Sequence, residues 1–176
     1  MPASMHPLRE EHRGLRPRID QLRWAADHVG ADPRSVTKAT VDHAYGFLVH
    51  ELLPHARAED RALYPVVARL MGSPDATRTM SRDHLEVERL TVELGELARR
   101  VGVDEGMTAE TARELRRVLY GLYAVVALHF AKEEEVYVPL LEASLSEREA
   151  TAMFAAMHDA AHEAHVAQEA LEHGLV

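Results

Sequence analysis

Apolar residues recur every three or four positions along almost the whole chain, and no segment shows a period of two that rivals this spacing. The first stripe, Met5, Leu8, Leu15, Ile19, Leu22 and Ala26, predicts a helix over about residues 6–29. Pro7 suits its first turn, whereas Pro17 falls in mid-pattern and should kink it. After the loop GADPRS, a stripe through Leu48, Leu52, Leu63 and Leu70 predicts a second helix over about 35–71. GSP introduces a third, about 75–101, striped by Val87, Leu90, Leu94 and Leu97. VGVDEGM precedes a fourth, about 108–143, with Leu115, Leu122, Val126 and Leu140 turned inward. SERE at Ser146 reads as a capping box opening a fifth helix to about residue 173, where Ala160, Ala164 and Ala167 permit close packing. Short loops make consecutive helices antiparallel neighbours. The expected fold is all-α: an antiparallel up-down four-helix bundle over residues 1–145, with an additional C-terminal helix over 146–176 packed on or beside it.

Polar residues interrupt these stripes in a repeated pattern. HARAEDRALYPVV begins at His55 and HFAKEEEVYVPLL at His129; each has His, then Glu four positions on, then Pro ten positions after the His. Each follows a helix carrying an acid–histidine pair, Glu11-His12 and Asp83-His84. The chain therefore contains two copies of one helical hairpin, each supplying H…HxxxE. Residues four apart share a helix face, so His55 and Glu59 address one region, as do His129 and Glu133. His55 and Glu59 fall between Leu52 and Leu63, and His129 and Glu133 between Val126 and Tyr137. His12 stands between Leu8 and Leu15, and His84 three positions before Val87. All six lie on faces the pattern sends to the core.

An isolated buried histidine is usually a hydrogen-bonded core residue. Six such positions in duplicate register are another matter. A buried carboxylate costs several kcal/mol unless it is paired or protonated. Two of them, with four imidazoles and no compensating buried Lys or Arg, call for cations. The donor set suits a first-row transition metal; iron is the natural candidate, and zinc or manganese fit the same donors. With both carboxylates bridging, six side chains provide roughly eight bonds and an oxo or hydroxo bridge about two, whereas two six-coordinate ions take about twelve. The shortfall leaves a position for dioxygen, peroxide or nitric oxide.

The remaining candidates have plainer readings. Pro54 frees a backbone carbonyl near the site, and Pro65 and Pro139 should bend or end their helices beyond it. His158, His162, His165, Glu169 and His173 share a face of the fifth helix. They read as a solvated flank beside Met153, Met157, Ala164 and Leu171 rather than as a second metal site. Tyr45, Tyr120 and Tyr123 are packing residues, while Tyr137, four beyond Glu133, is placed to donate a hydrogen bond to a bound ligand.

Composition narrows the field. The chain has 176 residues, 28% of them charged, and a formal net charge of −9, which argues against nucleic acid or an acidic membrane as partner. It has no cysteine, which removes disulfides, thiolate metal sites and thiol nucleophiles. No apolar run approaches the roughly 20 residues of a membrane span. The N-terminus lacks an apolar signal core, so a cytoplasmic location is expected.

EHRGL, HARAEDRALYP, DHLEV and HFAKEEEVYVP resemble, in order, the four helices of the hemerythrin-like (HHE cation-binding) family, over about residues 5–143. The resemblance implies a bundle around two non-haem iron ions bridged by carboxylate and an oxo or hydroxo group. On that basis His12, His55, His84 and His129 are terminal ligands, and Glu59 and Glu133 are the bridges. Two departures from the oxygen carriers matter. They carry a second histidine where this chain has Glu88, and they bridge with an aspartate later on the fourth helix where this chain has Glu133. The chain thus looks more like the bacterial branch, whose members sense or handle oxygen, peroxide, nitric oxide or iron. Glu88 either ligates metal, stays near it as a proton donor, or faces water. The function implied is binding of dioxygen, peroxide or nitric oxide for carriage, sensing or detoxification. The alternatives are an enzyme with catalase-, peroxidase- or nitric-oxide-reductase-like activity, or a role in iron homeostasis.

Overall fold

In the computed structural model, which describes residues 4–102 and 107–172, five helical segments carry the chain and no strands form among the described residues. They are α1 (His6–His28), α2 (residues 34–70), α3 (Arg78–Gly102), α4 (residues 109–144) and α5 (Glu147–Glu172). Thr108 caps α4, its hydroxyl accepting from the Thr111 amide at 3.1 Å. Ser146 and Glu149 form the expected capping box ahead of α5: the Glu149 carboxylate accepts from the Ser146 amide at 2.9 Å, and the Ser146 hydroxyl accepts in return at 3.4 Å. Gly30 and Gly72 supply the positive φ, 81° and 69°, at the turns after α1 and α2. Pro17 stands inside α1 on its exposed side, and the helix continues through it.

α1 packs against α2 and α4, and α3 against α2 and α4, so the four long helices close an up-down bundle. α5 lies along the middle of α2. It buries Met153, Met157, Ala160 and Ala164, whereas Ala167, expected on the packed face, is exposed. The side chains of Glu169 and Leu171, all of His173, and loop residues 103–106 lie outside the described residues.

The bundle has two apolar layers rather than one core. One includes Leu22, Phe47, Leu94, Leu115, Leu122 and Phe130. The other includes Met5, Leu8, Leu63, Tyr64, Val138 and Met153. The histidines and glutamates of the repeat fall between them along each helix.

Three π turns interrupt the long helices: Leu48–Leu52 and Glu59–Leu63 in α2, and Glu133–Tyr137 in α4. The amides of Leu53, Tyr64 and Val138 donate to the carbonyls of Leu48, Glu59 and Glu133, five residues back. The next residue in each case is proline: Pro54, Pro65 and Pro139. A helical proline lacks an N–H, and its ring crowds the carbonyl four residues earlier; a widened turn relieves that crowding. Pro65 and Pro139, expected to bend or end their helices, do not end them: each helix widens over one turn and continues, to residues 70 and 144. Each wide turn also advances the register by one residue. Val67 and Leu141 are fully buried in consequence, while Leu70 and Leu140, expected inward, are only half-buried.

Leu94→Ala, in the layer farther from α5, should cost about 2–5 kcal/mol of unfolding free energy. Urea denaturation measures it, and the loss should appear as a lower midpoint with an unchanged slope.

Candidate metal centre

The six polar residues of the repeat meet between the two apolar layers. Glu59 and Glu133 are 0% exposed, and His12, His55, His84 and His129 are all buried. Glu59 is the hub. Its Oε1 lies 3.0 Å from Nε2 of His55 and 3.7 Å from Nε2 of His12. Its Oε2 lies 3.3 Å from Nε2 of His84 and 3.9 Å from Nε2 of His129. One carboxylate thus presents one oxygen to each pair of imidazoles. Glu133 spans the same divide, with Oε2 3.6 Å from His12 Nε2 and Oε1 3.5 Å from His129 Nε2. Two triads, His12–His55–Glu59 and Glu59–His84–His129, have donor atoms close enough for one cation each, and they share Glu59.

Carboxylates on the outside fix which ring nitrogen faces in. Each Nδ1–H donates to an acid from another helix: His12 to Glu134 at 2.7 Å, His55 to Glu11 at 2.9 Å, His84 to Asp60 at 2.8 Å and His129 to Asp83 at 3.1 Å. The four bonds form a closed ring. α1 holds the histidine of α2, α2 that of α3, α3 that of α4, and α4 that of α1. Each acid is the sequence neighbour of an inward residue, so one backbone position fixes both. The acids are tethered in turn, Asp60 by the Ser81 hydroxyl at 2.6 Å, Asp83 by Lys132, and Glu134 by Arg9 at 3.5 Å. Such outer partners set tautomer and ring orientation and raise donor strength.

With every Nδ1 engaged, the inward atoms are left short of partners. Nε2 of His12, Nε2 of His55, both oxygens of Glu59 and Oε2 of Glu133 are buried without a hydrogen-bond partner. Buried polar atoms are almost always satisfied. Five unsatisfied ones aimed at a common centre, all lone-pair donors once Nδ1 holds the ring proton, fit coordination of cations. Phe130 closes the centre on one side, its ring 4.5 Å from that of His12 and 29° from parallel.

Tyr64 closes the other side, and the helical pattern did not single it out. Its hydroxyl donates to Glu133 Oε1 at 2.8 Å and lies 3.0 Å from His129 Nε2 and 3.4 Å from His84 Nε2. Tyr64 stands five residues after Glu59, a spacing that shares a face only across a π turn. The readable signal was the Tyr-Pro pair after HxxxE. Asp60 and Glu134 were also passed over, although the repeat places an acid directly after each inward glutamate.

The two remaining candidates lie away from the six. The Glu88 side chain is 50% exposed and lies 3.5 Å from Arg57, on the flank of α3 outside the centre. His84, Val87 and Thr91 form the buried line of α3, and Glu88 falls beside it. Tyr137 donates to the Ala76 carbonyl at 3.3 Å and packs edge-on to Tyr64, so Tyr64 holds the position foreseen for it. On α5, His158 and His162 are exposed, and none of the described histidines of that helix joins a metal-type cluster.

The sequence model of the hemerythrin HHE cation-binding domain matches residues 4–110, more than half of the chain. The chain belongs to the hemerythrin HHE cation-binding family. No curated protein and no solved structure matches it. The family match includes His12, His55, Glu59 and His84 and stops before His129 and Glu133. In this hemerythrin-family chain it is α4 that brings the second HxxxE to the same centre. Family and geometry together fit a metal-binding helical protein.

Protonation in the absence of metal follows the same electrostatics. Burial pushes the His55 imidazole down, but the Glu59 charge and the bond to Glu11 prevail and hold its pKa well above the ordinary value. For His129 burial is likewise outweighed, by Glu133 and Glu59, and its pKa is pushed up to about 10. His84 is raised too, where burial loses to Asp60 and Glu59. Burial pushes Glu59 up, but the surrounding imidazoles, His55 foremost, hold it well below the carboxylate range. Protons thus take the neutralising role of cations.

A group with a raised folded pKa stabilises fully below its unfolded value, 6.5 for histidine, and that contribution is lost as pH rises through the folded value, about 10 for His129. Chelator-treated protein should therefore resist urea better near pH 6 than near pH 9, with a smaller loss in metal-loaded protein, whose imidazoles carry no such proton. Equal stability of the metal-free form at both pH values would contradict this assignment.

Proposed function

We propose that the centre holds two iron ions and that the protein binds a small oxidant there, dioxygen, peroxide or nitric oxide, for carriage, sensing or detoxification. The observation that supports this most is Glu59, whose two oxygens each face a separate pair of imidazoles. His12 and His55 would serve one ion, His84 and His129 the other, and Glu59 and Glu133 both. Four imidazoles and two carboxylates favour iron among the common first-row metals, with zinc or manganese able to occupy the same donors. Bound iron supplies open coordination positions and two accessible oxidation states.

The chain's own groups do the rest. The carboxylate ring holds each imidazole in one tautomer and one orientation. The apolar layers, with Phe130 nearest, exclude water and strengthen every charge interaction inside. A second reading, turnover of peroxide or nitric oxide, draws support from Tyr64. Its hydroxyl is a proton donor already placed between Glu133 and the His84–His129 pair.

Because Glu59 and Glu133 are assigned to both ions, Glu59→Ala or Glu133→Ala should lose both metals together, read by elemental analysis of the purified variants. Retention of one metal at full occupancy contradicts the bridging role. Repeated addition of peroxide to iron-loaded protein separates the two readings. A lasting absorbance change without oxygen release is expected of a binding protein; sustained release that falls in Tyr64→Phe would favour turnover.

A further inference from the structure

Tyr64 and Asp60 both contact histidines of the centre. Both line a pocket of about 470 Å³ between the C-terminal half of α2 and the start of α3. Ala68 and Arg69 of α2, Ser73 of the connecting loop and Ser81 of α3 complete the walls that matter here. Tyr64, one of the lining residues, stacks its ring on His84 with centroids 5.4 Å apart and planes 12° from parallel. Its hydroxyl lies within hydrogen-bond reach of Glu133 and His129. One residue therefore lines the pocket and touches the centre. The pocket at Arg18, Trp24 and Phe47, between α1 and α2, contains none of the centre's residues.

We propose that this pocket is the route by which a small hydrogen-bonding ligand reaches the centre, and that it delivers the ligand to the His84–His129 half. The inference rests on the metal-centre reading above. Its lining offers polar partners to a small hydrogen-bonding molecule: hydroxyls of Ser73, Thr77 and Ser81, the Asp60 carboxylate and the Arg69 guanidinium. On the opposite half the Phe130 ring stacks on that of His12, so the two halves, alike in their donors, differ in the side chains that cover them. Tyr64 is only 2% exposed, so passage requires its ring to move, and the Glu133 bond makes that movement sensitive to the centre itself.

The test uses azide, mixed rapidly with iron-loaded full-length protein and followed by the absorbance change of the iron centre. Ala68→Trp fills the pocket without touching the ligand residues, and Ser73→Trp fills it from the loop should the first variant fold poorly. Ala39→Trp, in the α1–α2 pocket, is the control. With iron content and the azide-free spectrum unchanged, the pocket variants should slow azide association by about tenfold or more, while the control stays within about twofold of the parent protein. Association within about twofold of the parent in both pocket variants overturns the route while leaving the metal centre intact. A parent protein that takes up no iron overturns the underlying reading, and the route with it.

Discussion

Everything in this bundle is arranged around one electrostatic constraint: two carboxylates sit buried between apolar layers, where an uncompensated charge would be very costly. Glu59 and Glu133 are fully buried, and no Lys or Arg shares their layer among the described residues. Imidazoles, with the Tyr64 hydroxyl on Glu133, are the polar groups that face them. Protons on those imidazoles satisfy the constraint in part, which is why His55, His84 and His129 are all raised. Metal ions, on the proposed reading, would satisfy it better, because they would also engage the buried atoms left without a hydrogen-bond partner. The apolar layers above and below make the alternative, hydration, expensive.

The outer ring turns this local demand into a property of the whole bundle. Each helix contributes one inward histidine and, one residue away from an inward group, one acid that holds the histidine of the next helix. No helix can rotate by a residue without breaking a bond to each neighbour. The acids are part-exposed, so the ring forms the boundary between the dry layer and solvent. The two halves differ where α2 departs from α geometry and brings Tyr64 across the His84–His129 side, and where Phe130 stacks on His12.

The helices, their antiparallel packing and the six inward residues were legible because each rests on a local rule. Helical periodicity placed the stripes, the capping box placed the start of α5, and a duplicated HxxxE marked the face where polar groups replace apolar ones. What escaped was whatever depends on departures from the ideal helix. The π turns before Pro54, Pro65 and Pro139 advance the register by one. That shift brought Tyr64 onto the site and moved burial from Leu140 to Leu141. Proline was read as bending or ending its helix, when here it follows a widened turn inside a continuing one. Glu88 was left open between metal, proton donation and water, because four residues after His84 a side chain stands at the edge of the inward face. A small rotation sends it out to Arg57 instead of in.

The central claim is that two cations sit side by side in the layer, shared by Glu59. Anomalous scattering from crystals of metal-loaded protein, collected at the iron edge, tests it most directly. Two peaks roughly 3–4 Å apart, one on each side of the Glu59 carboxylate, are the predicted result. A single peak, or peaks only outside the layer, would contradict it.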